Sequence, residues 1–248
     1  MILAATREQG TKTRRLIDFP DLFSYYKAEW LQTEPAQGLP SPLVYLVEQP
    51  PRSVLPAHFH RQNQFQVFVD GGGMFGPHAI ISGMVHYANA YTGYGPIVAG
   101  DEGLRYFTIR AVFDSGAFMV NARRDAMVRG PKRNLHTYSA APLNEPGLAA
   151  LRGIRRQPLF PPQPDALQAE RISAPPGLTI TLAAPEGQGT FCHILTGTIA
   201  CGGLTLGLHE SLYFSPGEPL ASITAGPGGA DVLRLQLPCL ASEYFLNS

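Results

Sequence analysis

The chain has 248 residues, which is enough for one large domain or for two domains of about 125 residues each. Hydrophobic residues make up 44% of it, so a packed core is expected rather than disorder. The 19 basic and 19 acidic residues balance, so the composition does not indicate the basic surface that nucleic-acid binding requires. No apolar run reaches the roughly 18 residues of a membrane span, and the first residues acquire charge too early for a signal peptide. With only three cysteines and no disulfide framework, we expect a cytoplasmic protein without a nucleic-acid or membrane partner.

Turn-forming residues divide the chain into short segments. The 26 glycines and 23 prolines separate runs of β-branched and aromatic residues, a pattern typical of an all-β fold. Long helical patterns are absent, so only a few short helices are expected. Two segments, Pro20–Trp30 and Asn144–Arg156, are each compatible with a short helix or an edge strand.

The segment LPAHFHRQNQFQVFVDG predicts two strands joined by a turn at Arg61–Asn63. Because side chains alternate along a strand, His58 and His60 point to the same side. The second strand then returns Gln64 beside the two imidazoles. Two histidines and one oxygen ligand can occupy one face of a first-row transition metal, so these three residues form a candidate metal site.

A glycine-rich segment and a further strand follow. Gly71, Gly73 and Gly76 formally match a dinucleotide-binding fingerprint, but a β-like run follows them instead of a helix. The phosphate-binding mechanism needs a helix N-terminus, so this segment predicts a hairpin turn. The next predicted strand, Met84–Tyr91, carries His86, which is a candidate third ligand or proton-transfer group.

An internal repeat is the most informative feature of the sequence. With a shift of 126 positions, residues 58–111 align with residues 184–237 without a gap, and Phe65 and Gly71 meet Phe191 and Gly197. Two copies of one β unit predict two tandem barrels that arose by duplication. We predict an N-terminal barrel over residues 1–128, which carries the candidate site, and a C-terminal barrel over residues 129–248. A Pro-rich linker is expected near Arg129–Pro146.

The first copy resembles the cupin superfamily. The first cupin motif is His-x-His, three or four residues, Glu, six residues and Gly, and it is matched here by His58, His60 and Gly71, with Gln64 in place of Glu. The second motif is matched in register, but Tyr94 stands where the family has its third histidine. The resemblance implies two jelly-roll β-barrels, often assembled as a homodimer.

The second copy lacks the ligand residues of the family. Its first-motif positions hold Ala184, Glu186 and Thr190, and Leu220 stands at the position of the second-motif histidine. The resemblance therefore predicts a degenerate second cupin domain that does not hold a metal in the usual way.

The leading functional hypothesis is a metal-dependent enzyme, with dioxygenase-like chemistry as the main expectation. His58 and His60 would hold Fe, Mn, Ni or Zn, Gln64 would complete or support the ligand set, and Tyr94 or His86 would transfer protons. Since a neutral amide brings no negative charge to a cation, a small anionic or chelating substrate is expected. Two alternatives stay open: a metal-free epimerase or isomerase with a histidine base and Tyr94 as acid, and a non-catalytic binding or regulatory protein.

Overall fold

The computed structural model describes residues 1–20, 23–35, 40–137, 141–161, 163–219 and 221–246. Strands dominate these ranges, and the helices are short. The strands up to residue 137 are β1 (Ile2–Ala5), β2 (Arg15–Phe19), β3 (Phe23–Gln32), β4 (Leu43–Gln49), β5 (Val54–Leu55), β6 (His58–Phe59), β7 (Gln64–Phe75), β8 (His78–Ile80), β9 (Val85–Ala88), β10 (Ile97–Arg110), β11 (Phe118–Met119) and β12 (Asn134–Thr137).

The later strands repeat the same order of long and short segments. They are β13 (Arg155–Pro158), β14 (Gln168–Ala174), β15 (Thr179–Thr181), β16 (Thr190–Cys201), β17 (Leu204–Leu206), β18 (Ser211–Phe214) and β19 (Ser222–Gln236). The helices are α1 (Arg7–Thr13), α2 (Val120–Arg123), α3 (Glu145–Ala149) and α4 (Glu243–Leu246), with a 3₁₀ turn at Arg124–Ala126. The predicted all-β class with few short helices is confirmed.

One compact unit contains the described residues between 8 and 137 together with 240–246. Its nine-stranded sheet has the order β12-β9-β7-β10-β4-β3-β2, with β5 beside β10 and β8 beside β7. Strands β6 and β11 form a separate pair. Apolar side chains of β4, β7 and β10, among them Val47, Phe68 and Tyr106, form the core of this first barrel.

The second unit contains residues 1–7 and the described residues between 141 and 239. Its eight-stranded sheet has the order β1-β18-β16-β19-β14-β13, with β15 beside β19 and β17 beside β16. Its core is built from β14, β16, β18 and β19, with Ile172, Ile194 and Val232 fully buried. Each unit is therefore a jelly-roll barrel around its own apolar core, which confirms the predicted tandem fold.

The repeat of 126 residues extends to the geometry of the strands. Strand β7 begins at residue 64 and β16 at residue 190, and the following hairpins keep the same shift. Gly71 and Gly197 both adopt a positive φ, 74° and 76°. A Cβ atom on either would clash with the carbonyl oxygen of Gly103 or Gly229 on the opposite strand. The shared glycines are thus required by one backbone irregularity that occurs in both barrels.

Two short strands lie outside the division that the sequence suggested. Strand β1 pairs with β18 of the second barrel, and β12, within the predicted linker, pairs with β9 of the first barrel. The predicted domain division at residue 128 did not anticipate either pairing, because a strand of four residues carries no sequence signal for the sheet that it joins.

The two ambiguous segments are also resolved. Most of Pro20–Trp30 lies in strand β3, which pairs on both sides, with β2 and with β4. Within Asn144–Arg156 the chain forms helix α3, whose first turn is capped by the Asn144 side chain, and then begins β13. Among the described residues no helix is long and apolar enough to span a membrane. The cytoplasmic location and the homodimer stay predictions.

Candidate functional site

A cavity of about 330 Å³ lies in the first barrel, bordered by residues of β2, β3, β4 and β10. Its walls combine imidazole, aromatic and charged side chains. Of the candidate site residues predicted from the sequence, His58, His60 and Tyr94 line the cavity, whereas Gln64 and His86 do not. The first barrel therefore contains a chemically mixed pocket at the predicted place.

A backbone bridge to Tyr94 fixes His58, whose ring lies beside that of His60. The His58 N–H donates to the Tyr94 carbonyl oxygen at 3.1 Å, and the Tyr94 N–H donates to the His58 carbonyl oxygen at 3.0 Å. The rings of His58 and His60 are 5.4 Å apart between centroids and nearly perpendicular. Their residues are only 2% and 6% exposed. Both imidazoles therefore belong to the interior of the barrel.

Hydrogen bonds fix the tautomers of these imidazoles. Nδ1 of His58 lies 2.8 Å from the Pro56 carbonyl oxygen, which can only accept, so Nδ1 carries the proton. Nδ1 of His60 faces Asp114 in the same way, at 3.5 Å. Burial and the neighbouring His60 lower the pKa of His58 to about 3, and burial and Arg110 lower the pKa of His60 to about 4. Both rings are thus neutral at pH 7, with a lone pair on Nε2.

Asp114 also lines the cavity and contacts His60, and no pattern in the sequence pointed to it. Its carboxylate accepts hydrogen bonds from the backbone N–H groups of Arg61 and Gly116, both at 2.8 Å. Burial alone would raise the pKa of this carboxyl, but the contacts with His60 and the charge of Arg110 outweigh burial and hold the pKa well below its usual range. Asp114 lies in a loop 54 residues from His60, so only the folded chain brings them together.

A buried arginine is a second residue of the site that no pattern in the sequence pointed to. Arg110, at the end of β10, is only 1% exposed and borders the cavity. Its Nε and Nη2 atoms donate to Oε1 of Gln64 at 3.1 and 2.6 Å. The alternation of Tyr106, Thr108 and Arg110 on one face of an apolar strand is the signal that could have revealed it.

Gln64 is consequently occupied on both ends of its amide. Because a guanidinium only donates, Oε1 must face Arg110, and Nε2 then donates to the Tyr94 hydroxyl oxygen at 2.5 Å. Burial raises the pKa of Tyr94 well above its ordinary value, so the phenol stays protonated. Since its oxygen accepts from Gln64, its own O–H proton is left to donate.

His86 takes part in a different hydrogen-bonding group. Its Nδ1 atom lies 2.8 Å from Oε1 of Gln66, and its Nε2 atom lies 3.3 Å from Oδ1 of Asn134. The ring stacks on His136, with centroids 4.7 Å apart. Burial and His136 lower the pKa of His86 well below its usual value. The structure therefore does not place His86 on the cavity wall with His58.

The second barrel carries a different set of residues at the equivalent positions. Gln236 stands where the first copy has Arg110, and its Oε1 accepts from the Thr190 hydroxyl at 3.0 Å. Arg234, two residues earlier, donates to the same oxygen at 3.0 Å. Leu220, which occupies the Tyr94 position, lies outside the described residues.

Solved structures resemble this chain closely in fold and weakly in sequence. Pirin YhhW from Escherichia coli, solved in complex with nickel(II), is 11% identical, with a TM-score of 0.60 over 96% of this chain and 100% of that chain. A candidate dioxygenase from Nostoc punctiforme is 11% identical, with a TM-score of 0.59 over 97% and 84%. Oxalate decarboxylase from Bacillus subtilis, described with Mn(II) centres, is 9% identical, with a TM-score of 0.60 over 97% and 78%. The chain has the two-domain cupin fold.

The comparisons with protein-family models and with curated proteins gave no match. The likeness to the solved structures therefore establishes the cupin fold, while the activities of those proteins stay their own.

The cupin fold implies a divalent metal, and the residues present meet only part of that requirement. His58 and His60 offer two Nε2 lone pairs, but the oxygen of Gln64 is bonded to Arg110 and Tyr94 is a protonated phenol. Among the residues that the structure describes, no group of three His, Cys, Asp or Glu is placed to hold a metal ion. A fixed guanidinium beside the ligand positions also opposes a second cation. This residue set does not fit a complete cupin metal centre.

Proposed function

We propose that the first barrel of this cupin binds a small anionic molecule, whose acidic group contacts Arg110. The observation that carries the proposal is a fully buried guanidinium at the cavity wall whose direct partners, Gln64 and Tyr45, are neutral. Asp114 acts on this charge from a distance, while its own oxygens bond to His60 and the backbone. Buried charges are normally paired, so an anionic ligand would complete the site.

The groups around Arg110 would then act on the bound anion by proton transfer. The neutral imidazoles of His58 and His60 are proton acceptors, and the Tyr94 phenol is a proton donor; all three side chains line the cavity. This arrangement suits the metal-free isomerase or epimerase class. A cupin that only binds its ligand uses the same contacts without turnover.

A metal-dependent cupin, with dioxygenase-like chemistry, is the second candidate function. It is favoured by the two Nε2 lone pairs of His58 and His60, which the hydrogen bonds at Nδ1 leave available. In that case the bound molecule would have to contribute the remaining ligand atoms, because Gln64 is occupied by Arg110.

Calorimetric titration tests the proposal without any knowledge of the natural ligand. The protein is titrated in EDTA with hexanoate, cyclohexanecarboxylate and benzoate, and with the corresponding neutral amides. Carboxylates should bind more tightly than their amides by about 10- to 100-fold, the value of a charge-assisted hydrogen bond. The Arg110→Gln variant should lose this preference, and it introduces the side chain that the second barrel has at the equivalent position.

The controls separate a binding effect from a folding defect. Arg234→Gln removes another buried arginine that is bonded to a glutamine oxygen, and it should leave carboxylate binding unchanged. If Arg110→Gln does not fold, the comparison of carboxylates with amides on the unaltered chain still tests the proposal. The proposal is overturned if no carboxylate binds, or if binding survives in Arg110→Gln. Binding that appears only after Fe, Mn, Ni or Zn is added overturns it in favour of the metal-dependent function.

A further inference from the structure

We infer that the ligand of the first barrel is a single aromatic ring that carries one negative charge, such as an aromatic monocarboxylate. The inference rests on the proposed binding of an anion at Arg110. It adds the charge and the hydrocarbon part of the ligand, which follow from the remaining walls of the same cavity.

The charged side chains of the cavity indicate a monoanion. They are three cations, Arg15, Lys27 and Arg110, and two carboxylates, Glu29 and Asp114. Arg15 Nη2 and Lys27 Nζ both contact Oε1 of Glu29, at 2.7 and 3.0 Å. One net positive charge is therefore left in the cavity, which a single anionic group balances. A dianion would leave one negative charge uncompensated in a largely buried space.

Another part of the cavity lining is aromatic and partly open to the cavity. Phe19 and Phe23 stack at 4.7 Å between ring centroids, and Phe23 and Tyr25 stack at 5.9 Å. Phe23 and Tyr25 alternate along β3 with outward-facing residues, so they share the face of the strand that borders the cavity. Both are only half-buried, in contrast to the fully buried aromatic residues of the core. Ring surface is thus available to a ligand.

The volume of the cavity limits the size of the ligand. In the sheet, strand β4 lies between β10 and β3, and residues of all three strands line the cavity. On β4, the ring centroid of Tyr45 lies 5.5 Å from the Arg110 guanidinium carbon and 4.3 Å from Lys27 Nζ. A volume of about 330 Å³ is at the low end of small-molecule sites. This volume suits one ring with its acidic group.

The experiment compares three acids on the metal-free protein by calorimetry. Benzoate should bind about 2- to 10-fold more tightly than cyclohexanecarboxylate, which has the same charge and a non-aromatic ring of similar size. Phthalate, which carries two charges, should bind more weakly than benzoate. The preference for benzoate should disappear in Tyr25→Leu and persist in Tyr26→Leu, because Tyr26 lies on the same strand but outside the cavity.

The outcomes distinguish this inference from the proposed function. Equal affinity of benzoate and cyclohexanecarboxylate, with both depending on Arg110, would overturn the aromatic ligand and leave anion binding intact. Tighter binding of phthalate would overturn the single charge. Loss of Arg110 dependence for every acid would instead remove the proposed function itself. Should Tyr25→Leu fail to fold, Phe23→Leu replaces it, and the comparison of the three acids on the unaltered chain remains decisive.

Discussion

Replacing Gln64 by glutamate restores the residue that the cupin motif has at this position. The variant Gln64→Glu tests whether a side chain at this position pairs with the Arg110 guanidinium or binds a metal ion. The side chain keeps its size, and its Oε1 atom already lies 2.6 Å from Nη2 of Arg110. The new carboxylate should therefore pair with the guanidinium instead of binding a metal. A bidentate geometry is favoured, because Nε of Arg110 also faces this oxygen at 3.1 Å.

The magnitude of the effect on ligand binding follows from the charges. A carboxylate at about 6 Å from a bound anion repels it by about 3 kcal/mol at an effective dielectric constant of about 20, which corresponds to about 100-fold in affinity. Folding stability should change less, since the attraction to Arg110 is offset by the cost of burying the new charge. Benzoate affinity should thus fall about 100-fold in a protein that still unfolds cooperatively.

The assays are calorimetric titration with benzoate, urea unfolding and metal analysis after purification without chelators. Gln168→Glu is the matched control, because Oε1 of Gln168 accepts from the buried Arg234 of the second barrel at 2.8 Å. This control should leave benzoate affinity unchanged. If Gln64→Glu instead takes up Fe, Mn, Ni or Zn, or binds benzoate as well as the unaltered chain, Arg110 does not control this position and the reasoning is refuted.

Three further predictions concern stability. Burial lowers the pKa values of His86 and His193 well below 6.5. As the pH falls below 6.5, the unfolded chain takes up protons on these histidines that the folded chain cannot. Each histidine should therefore lower the free energy of unfolding by about 1 kcal/mol between pH 7.5 and 5.5. Urea midpoints that do not change over this range would contradict this prediction. In urea unfolding, Gly71→Ala should destabilise the protein by about 3 kcal/mol or more, and Gly177→Ala by only about 1 kcal/mol. The two glycines have nearly the same φ, 74° and 73°, but only at Gly71 would an added Cβ meet a backbone oxygen. Asp114→Asn should cost about 1–3 kcal/mol, since an amide cannot accept on both sides as the carboxylate does, and an unchanged unfolding curve would show that these hydrogen bonds contribute little.

The sequence alone determined the repeated architecture of this chain. A shift of 126 residues is visible because glycines such as Gly71 and Gly197 cannot be replaced where φ is positive and the opposite strand is close. The sequence also predicts that His58 and His60 lie on one side of a strand, because side chains alternate along a strand with a period of two. These features depend on neighbours in the chain, so a pattern of residues is sufficient to predict them.

Only the tertiary structure decided what surrounds the two imidazoles. Arg110 meets Gln64 from 46 residues away, and Asp114 meets His60 from 54 residues away, across strands whose pairing no local pattern fixes. The same holds for β1, which joins the sheet of the second barrel. An amide that a motif suggests as a metal ligand becomes the partner of a guanidinium once the strands are paired, since hydrogen bonds depend on distance in space and not on separation in sequence.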